Sequence, residues 1–305
     1  MSKMTNLKEN ESFISGDIRE KMLDVEIVLS DIEGTTTSIP FVRNILKSYC
    51  KENLNKYISD HWEDDELVDF RREMKTESTG EKEDPCSATV AVKKHDLSSK
   101  LQKKSVEQYI LNNLDSKQSP YSLKLLQTNM WEEGYVSSDL KGHLFPDVTP
   151  AFKKWKERGL HIYMYSSGIQ LAQKLLFTHS SEGDFHELIS GYFDLNVGAK
   201  VDPKSYKNIM EKVNCQPEKA VFLTDNAHEA DAAQKAGLIA VLVHREGNEP
   251  VDTKFRELFP SIYSFEEIIS LLGKRKSSST DRNDKLILRK KAKLECDDAG
   301  PGDDK

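Results

Sequence analysis

Four short segments of this chain carry side chains that can act on a phosphate ester, and each stands where an apolar run ends. Asp31-Ile32-Glu33-Gly34-Thr35-Thr36 sets two carboxylates two residues apart, ahead of a glycine that lets the chain turn. Both acids can face one cleft, where one carboxylate attacks and its neighbour moves protons. Taken alone, the segment reads equally well as an acidic turn at a strand end. Tyr165-Ser166-Ser167-Gly168 offers hydroxyls and main-chain N–H groups at the start of a helical pattern, a place that holds phosphate oxygens. Without the other segments it is a plain N-cap. The stretch from Gly198 to Lys204 presents Lys200 and Lys204 ahead of a helix, although an isolated lysine is ordinarily solvated surface. Phe222-Leu223-Thr224-Asp225 closes an apolar run with a carboxylate, and Glu229 and Asp231 follow within two helical turns. That is the hard-oxygen chemistry Mg²⁺ prefers, while Asp225 on its own would do no more than cap the helix.

The elements that must position these groups follow from the apolar pattern. Val25 to Ser30 is a β-branched run that ends at Asp31, which predicts a buried strand. Further strands are predicted at His161 to Tyr165, around Phe193 to Val197, at Ala220 to Thr224 and at Leu238 to Val243. Apolar residues at three- and four-residue spacing predict helices over Ile169 to Phe177, Tyr206 to Val213 and Ala227 to Ala236. The alternation predicts the α/β class, a doubly wound parallel sheet, whose sites lie at the carboxyl ends of strands.

Residues 37–145 break the alternation. Helices are predicted over Phe41 to Ile58, Ser105 to Leu114 and Tyr121 to Trp131, with no strand among them, so this region reads as an inserted helical cap. Near 73–104 it is rich in Lys, Glu, Ser and Thr and contains Gly80 and Pro85, the composition of a flexible loop. The division expected is therefore a polar N-terminal arm over 1–23, a catalytic core over 24–36 and 146–273, the cap over 37–145, and a disordered tail over 274–305.

Across 305 residues, 44 Lys and Arg against 51 Asp and Glu leave a net charge of −7, which argues against a basic nucleic-acid binder. Hydrophobic residues make up 37% of the chain, enough for a core diluted by polar segments. The longest apolar runs fall far short of the roughly 18 residues that span a bilayer, and Met1 to Leu23 lacks a signal-peptide core, so no membrane partner and a cytoplasmic location are expected. Cys50, Cys86, Cys215 and Cys296 are scattered without metal-ligand spacing and read as reduced thiols. The histidines show no pairing, and residues 61–66 read as an acidic surface.

Taken together, strand-Asp-x-Glu, strand-Ser, loop-Lys and strand-Asp, with 135 residues between Asp31 and Ser166, resemble the four motifs of the haloacid dehalogenase superfamily of phosphohydrolases. The resemblance spans roughly Val25 to Val243. Most of that superfamily has Asp-x-Asp in the first motif. Here Glu33 is the second acid, and Asp-Ile-Glu-Gly-Thr-Thr with Tyr-Ser-Ser-Gly and Phe-Leu-Thr-Asp is similar to the enolase-phosphatases of methionine salvage.

The resemblance implies that Asp31 is the nucleophile and Glu33 the general acid and base, and that Ser166, Ser167 and Lys200 bind the phosphate. It implies one Mg²⁺ per chain, held by Asp31, Asp225 and the main-chain carbonyl of Glu33. Lys200 is preferred to Lys204 because it stands two residues after Gly198, in the family's Gly-x-Lys position. The implied reaction enolises 2,3-diketo-5-methylthiopentyl-1-phosphate and then removes its phosphate to leave the acireductone 1,2-dihydroxy-3-keto-5-methylthiopentene. The implied partner is that small phosphate ester, acted on by a monomer. The base for enolisation is not named by any motif. Ile39, Phe41 and Trp131 stand as candidates for the wall around the methylthio group, against a plainer reading as cap core. A phosphatase for another small ester, and a non-catalytic phospho-accepting module, remain as alternatives. The basic clusters at 274–276 and 289–293, with 12 residues between them, have the spacing of a bipartite nuclear import signal or of a solvated tail.

Overall fold

The computed structural model describes residues 13–79, 95–114, 116 and 119–273. In chain order these form α1 (Gly16–Met22), β1 (Ile27–Ser30), a π-helical turn (Phe41–Leu46), α2 (Lys47–Asp60), α3 (Asp65–Thr79), α4 (His95–Asn113), α5 (Tyr121–Val136) and α6 (Val148–Glu157). There follow β2 (His161–Tyr165), α7 (Gln170–Thr178), β3 (Gly191–Phe193), α8 (Pro203–Lys212), β4 (Ala220–Thr224), α9 (Ala227–Lys235), β5 (Ile239–Val243), α10 (Thr253–Arg256), β6 (Ser261–Ile262) and α11 (Glu266–Ile269).

All six strands pair in parallel, in the order β3-β2-β1-β4-β5-β6. The chain therefore winds outward from β1 in both directions, and the crevice at such a reversal lies beyond the carboxyl ends of the central strands. Successive residues of β1 enter opposite cores, which is why Ile27, Val28 and Leu29 are all apolar. Val28 packs with Ile162, Val221 and Trp155 on one face. Ile27 and Leu29 pack with Tyr206, Ile209 and Phe222 on the other.

Between β1 and β2, helices α2 to α5 share a separate core built around Leu54, Phe70, Ile110, Leu123 and Met130. Among the described residues no helix is long and apolar enough to cross a membrane, and Cys50 and Cys215 are unpaired. Cys86, Cys296 and the two basic clusters of the tail lie outside the described residues.

Several expectations are corrected. The third strand is Gly191–Phe193, and a 3₁₀ turn, Leu195–Val197, occupies the rest of the stretch assigned to it. The turn forms because the Asp194 carboxylate accepts the Asn196 N–H, a local contact that competes with strand pairing. The polar N-terminal arm forms regular structure over part of its described residues. Phe13 pairs antiparallel with Ser261, and α1 buries Met22 completely. Within the stretch near 73–104 expected as a flexible loop, α3 continues to Thr79 and α4 starts at His95. Leu67 and Phe70 supply α3 with a buried stripe that its polar composition concealed, and residues 80–94 lie outside the described residues. Helix α6, outside the predicted helices, buries Val148, Ala151, Phe152 and Trp155 at helical spacing.

Candidate active site

The crevice beyond β1 and β4 is built from the first turn upward. After β1 the Asp31 N–H still donates to the Leu223 carbonyl at 2.8 Å, so the carboxylate is fixed at the sheet's end. The Ile32 carbonyl then accepts the N–H groups of Thr35, Thr36 and Thr37 at 3.2, 2.9 and 3.0 Å, folding the chain into a tight turn. Gly34 sits in that turn at φ +83°, and a Cβ there would meet Asp225 Oδ2 at 2.3 Å. Glycine is thus required both by backbone conformation and by the close approach of a carboxylate.

Asp31 is buried, and its Oδ1 accepts the Ile32 N–H at 2.7 Å and the Lys200 ammonium at 2.5 Å. Lys200 also meets Glu229 Oε2 at 2.8 Å, and that carboxylate is held by the Thr224 hydroxyl at 2.9 Å. The loop that delivers Lys200 is anchored by two tyrosines. Tyr165 donates to the Gly198 carbonyl at 2.9 Å, and Tyr206 donates to the Lys200 carbonyl at 2.6 Å. Asp225 stands beside them. Its N–H donates to Thr35 Oγ1 at 3.1 Å, and Asn248 Nδ2 bridges Gly34 O at 2.8 Å and Asp225 Oδ2 at 3.3 Å.

The electrostatics follow from this crowding. Burial alone would discharge Lys200, but Asp31 and Glu229 outweigh it and hold the ammonium protonated. Burial raises the Asp31 carboxyl well above the usual range, helped by Glu229 and Asp225 and opposed by Lys200. Burial likewise pushes Asp225 up to about 6, with Glu229 and Glu33 adding to it against Lys200. The site therefore carries more carboxylate than its one buried ammonium neutralises.

A cavity of about 230 Å³ opens beside this cluster, between the sheet and α5. Glu33 and Ser166 to Gly168 are among its polar lining, and Val42, Leu46, Trp131 and Leu176 among its apolar lining. Glu33 keeps 40% of its side chain exposed, with Arg43 Nε at 3.8 Å. Ser166 Oγ accepts the Gly168 N–H at 3.3 Å. Gln173 Nε2 pins the same loop through Gly168 O and Phe193 O, both at 2.8 Å. Ser167 is exposed, and its carbonyl accepts Lys124 Nζ from α5 at 3.3 Å.

The expected residues thus fall into two adjoining groups, Asp31, Lys200 and Asp225 at the buried end and Glu33, Ser166 and Ser167 along the cavity. Lys204 is exposed and opens α8, where its N–H meets the Asp202 carboxylate. Asp231 pairs with Lys235 on the surface, whereas Glu229 turns inward. Of the wall candidates only Trp131 lines the cavity, since Phe41 is buried in the main core against His143. His179 stacks on Tyr135, His228 meets Phe255 and His244 meets Tyr263. Asn248 and Lys124 lie in segments with no motif of their own, and Gln173 lies in the stretch Ala172 to Phe177 that shares in the family resemblance, but its contacts with Gly168 O and Phe193 O are tertiary. Thr35 stood inside a motif, but its hydroxyl contact with Asp225 is a tertiary event. Among the described residues no three His, Cys, Asp or Glu side chains form a metal cage.

The profile of the haloacid dehalogenase-like hydrolases matches residues 25–237. The chain is 42% identical over 253 residues to enolase-phosphatase E1 of Danio rerio, covering 82% of this chain and 96% of that one. It is 40% identical over 256 residues to enolase-phosphatase E1 of Drosophila mojavensis, covering 82% and 97%. Among solved structures it is similar to the UTR4 protein of Saccharomyces cerevisiae, with a TM-score of 0.63 at 27% identity, covering 79% of this chain and 99% of that one.

Proposed function

This chain belongs to the haloacid dehalogenase-like hydrolases and, within them, to the enolase-phosphatases, and from that premise we propose that it converts 2,3-diketo-5-methylthiopentyl-1-phosphate to the acireductone and phosphate. The observation that carries the substrate is the cavity that joins Glu33 and the Ser166 loop to an apolar wall of Val42, Leu46 and Trp131. One end suits a phosphate ester and the other a methylthio tail.

In this reading Asp31 attacks phosphorus in line and forms an aspartyl-phosphate. Glu33 protonates the departing oxygen and then takes a proton from the water that hydrolyses the intermediate. Lys200, held by Asp31 and Glu229, keeps a positive charge beside the transferring group. Ser166, Ser167 and nearby N–H groups hold the phosphoryl oxygens.

The surplus of hard carboxylate oxygens at Asp31 and Asp225 fits Mg²⁺, with one ion per chain held by these two and by the Glu33 carbonyl. When bound, that ion neutralises phosphate charge and keeps the carboxylates ionised. The site is assembled from one chain, so a monomer suffices. Helices α2 to α5 act as a cap over the crevice, with residues 37–145 as its extent and 24–36 plus 146–273 as the catalytic core. We place the enzyme in the cytoplasm, with the tail's basic clusters directing a share to the nucleus.

The test incubates the protein with the diketo ester, with and without Mg²⁺, and follows phosphate release and the ultraviolet absorbance of the enolised product. Both signals should need Mg²⁺ and vanish in Asp31→Asn. Hydrolysis of other esters but not of this one would discard the substrate and keep the phosphatase.

A further inference from the structure

The core residues account for phosphoryl transfer but leave the two ketone oxygens of the proposed substrate without a partner. Lys200 is committed to two buried carboxylates at 2.5 and 2.8 Å. The cavity's opposite wall is one face of α5, where Lys124, Gln127, Trp131 and Tyr135 recur at three- and four-residue spacing.

Two donors on that face stand out. Lys124 is half-buried and reaches the loop that holds Ser166, yet its contact there is with a neutral carbonyl, Ser167 O at 3.3 Å. Gln127 is 8% exposed, and its Nε2 is buried with no hydrogen-bond partner. An unmet buried donor is destabilising, and that cost is removed when a partner arrives. Residues three apart on a helix lie about 5–6 Å apart at Cβ, so the two donors are neighbours on the cavity wall. Lys124 stands next to the phosphate loop, and Gln127 is one turn further toward Trp131. That sequence of phosphate loop, two donors and apolar aromatic matches phosphate, two adjacent ketones and methylthio tail in the same order. Gln127 Nε2 is covered by neighbouring side chains, so it engages by rotating into the cavity that its residue lines.

We propose that Lys124 and Gln127 are the specificity-determining residues that read the two ketone oxygens of a phosphate ester bound at Asp31. This rests on the function proposed above. Lys124 leaves the Ser167 carbonyl for the ketone nearer the phosphate, and Gln127 donates to the other. A site built to donate hydrogen bonds to two oxygens discriminates strongly against an analogue that lacks them.

The experiment compares the diketo ester with 5-methylthiopentyl phosphate, which has no ketones. Wild type, Lys124→Gln, Lys124→Arg and Gln127→Leu are measured for kcat and KM on both, with Gln127→Asn as a milder second variant. The wild type should favour the diketo ester. Lys124→Gln and Gln127→Leu should each lower the ratio of kcat/KM between the two esters about 10- to 100-fold, the loss expected for one hydrogen bond to a charged or buried group. Lys124→Arg should restore part of that ratio. A loss shared equally by both esters would make the residues structural and overturn the proposal, as would an unchanged ratio. A wild type that releases no phosphate from the diketo ester would instead overturn the functional reading on which the proposal rests.

Discussion

Lys200 Nζ lies 2.5 Å from Asp31 Oδ1, across 169 residues of sequence, and both side chains are buried. Glu229 shares the ammonium at 2.8 Å, so one cation balances two carboxylates in an apolar surround. Removing one member of such a group leaves the others charged and uncompensated, which costs more than the group contributes net.

Lys200→Met should therefore lower stability by about 3–5 kcal/mol, as expected when one partner of a buried ion pair is removed. Turnover should fall by roughly 10²–10³, the range for one lost electrostatic stabiliser. Thermal unfolding and phosphate release measured on the same preparation would check both, and a stable, active variant would refute the pairing.

Glu229 and Asp231 separate inward from outward carboxylates on α9. Glu229→Gln keeps a partner for the Thr224 hydroxyl but removes the charge beside Lys200, and turnover should fall about 10- to 100-fold. Asp231→Asn alters only a surface pair with Lys235, and stability should stay within about 0.5 kcal/mol. Equal effects from the two substitutions would contradict the orientation of α9.

Gly34→Ala should harm activity more than folding. A left-handed backbone costs a non-glycine residue about 1–2 kcal/mol. The added methyl would also stand 2.3 Å from Asp225 Oδ2, forcing that carboxylate aside. Gly16→Ala, where a Cβ meets nothing within 4 Å, serves as the control and should leave activity at the wild-type level. Unfolding curves and rates for both variants decide the matter.

His61, at the end of α2, ties that helix to α5. Its Nδ1 and Nε2 lie 2.7 Å from Asp64 and 2.7 Å from Glu133, and its ring stacks on Tyr57. Burial works against the imidazolium, but the two carboxylates prevail and raise its pKa above the ordinary 6.5. For a base with a raised folded-state pKa, the added stability is fully present below the unfolded value and is lost as pH rises through the folded one. The wild type should therefore exceed His61→Gln by at most about 1 kcal/mol at pH 6, and by less above that folded value. A difference that does not change with pH across this range would rule out the ionic contact.

Much of the fold was legible because strands buried on both faces must be continuously apolar. Ile27 to Leu29, Ala220 to Leu223 and Ile239 to Val243 are such runs, inside the stretches predicted as strands, and they form most of β1, β4 and β5. Where the signal was short or polar, as in β6 or in α3 with its charged surface, local composition hid what tertiary contacts stabilise. Residue types at strand ends pointed to Asp31, Glu33, Ser166, Lys200 and Asp225. Their partners Thr35, Gln173 and Asn248 were not legible, because their side chains act through contacts that no local pattern encodes.

By itself the sequence determined the strand order's central theme, that acids, a serine loop and a lysine follow buried runs in a fixed succession, since burial and turn chemistry are local demands on residue type. Only the tertiary structure decided which of several like residues meet. Glu229 and Asp231, two positions apart, point about 200° apart around a helix of 3.6 residues per turn, so the phase set by packing α9 on β4 and β5 turns one inward and the other out. Lys200 reaches Asp31 while Lys204 does not because Tyr165 and Tyr206 clamp the loop carbonyls on either side of Ala199. Lys124 meets the Ser167 carbonyl because α5 packs over α7. Each of these choices rests on contacts between distant segments, which residue types and spacing do not specify.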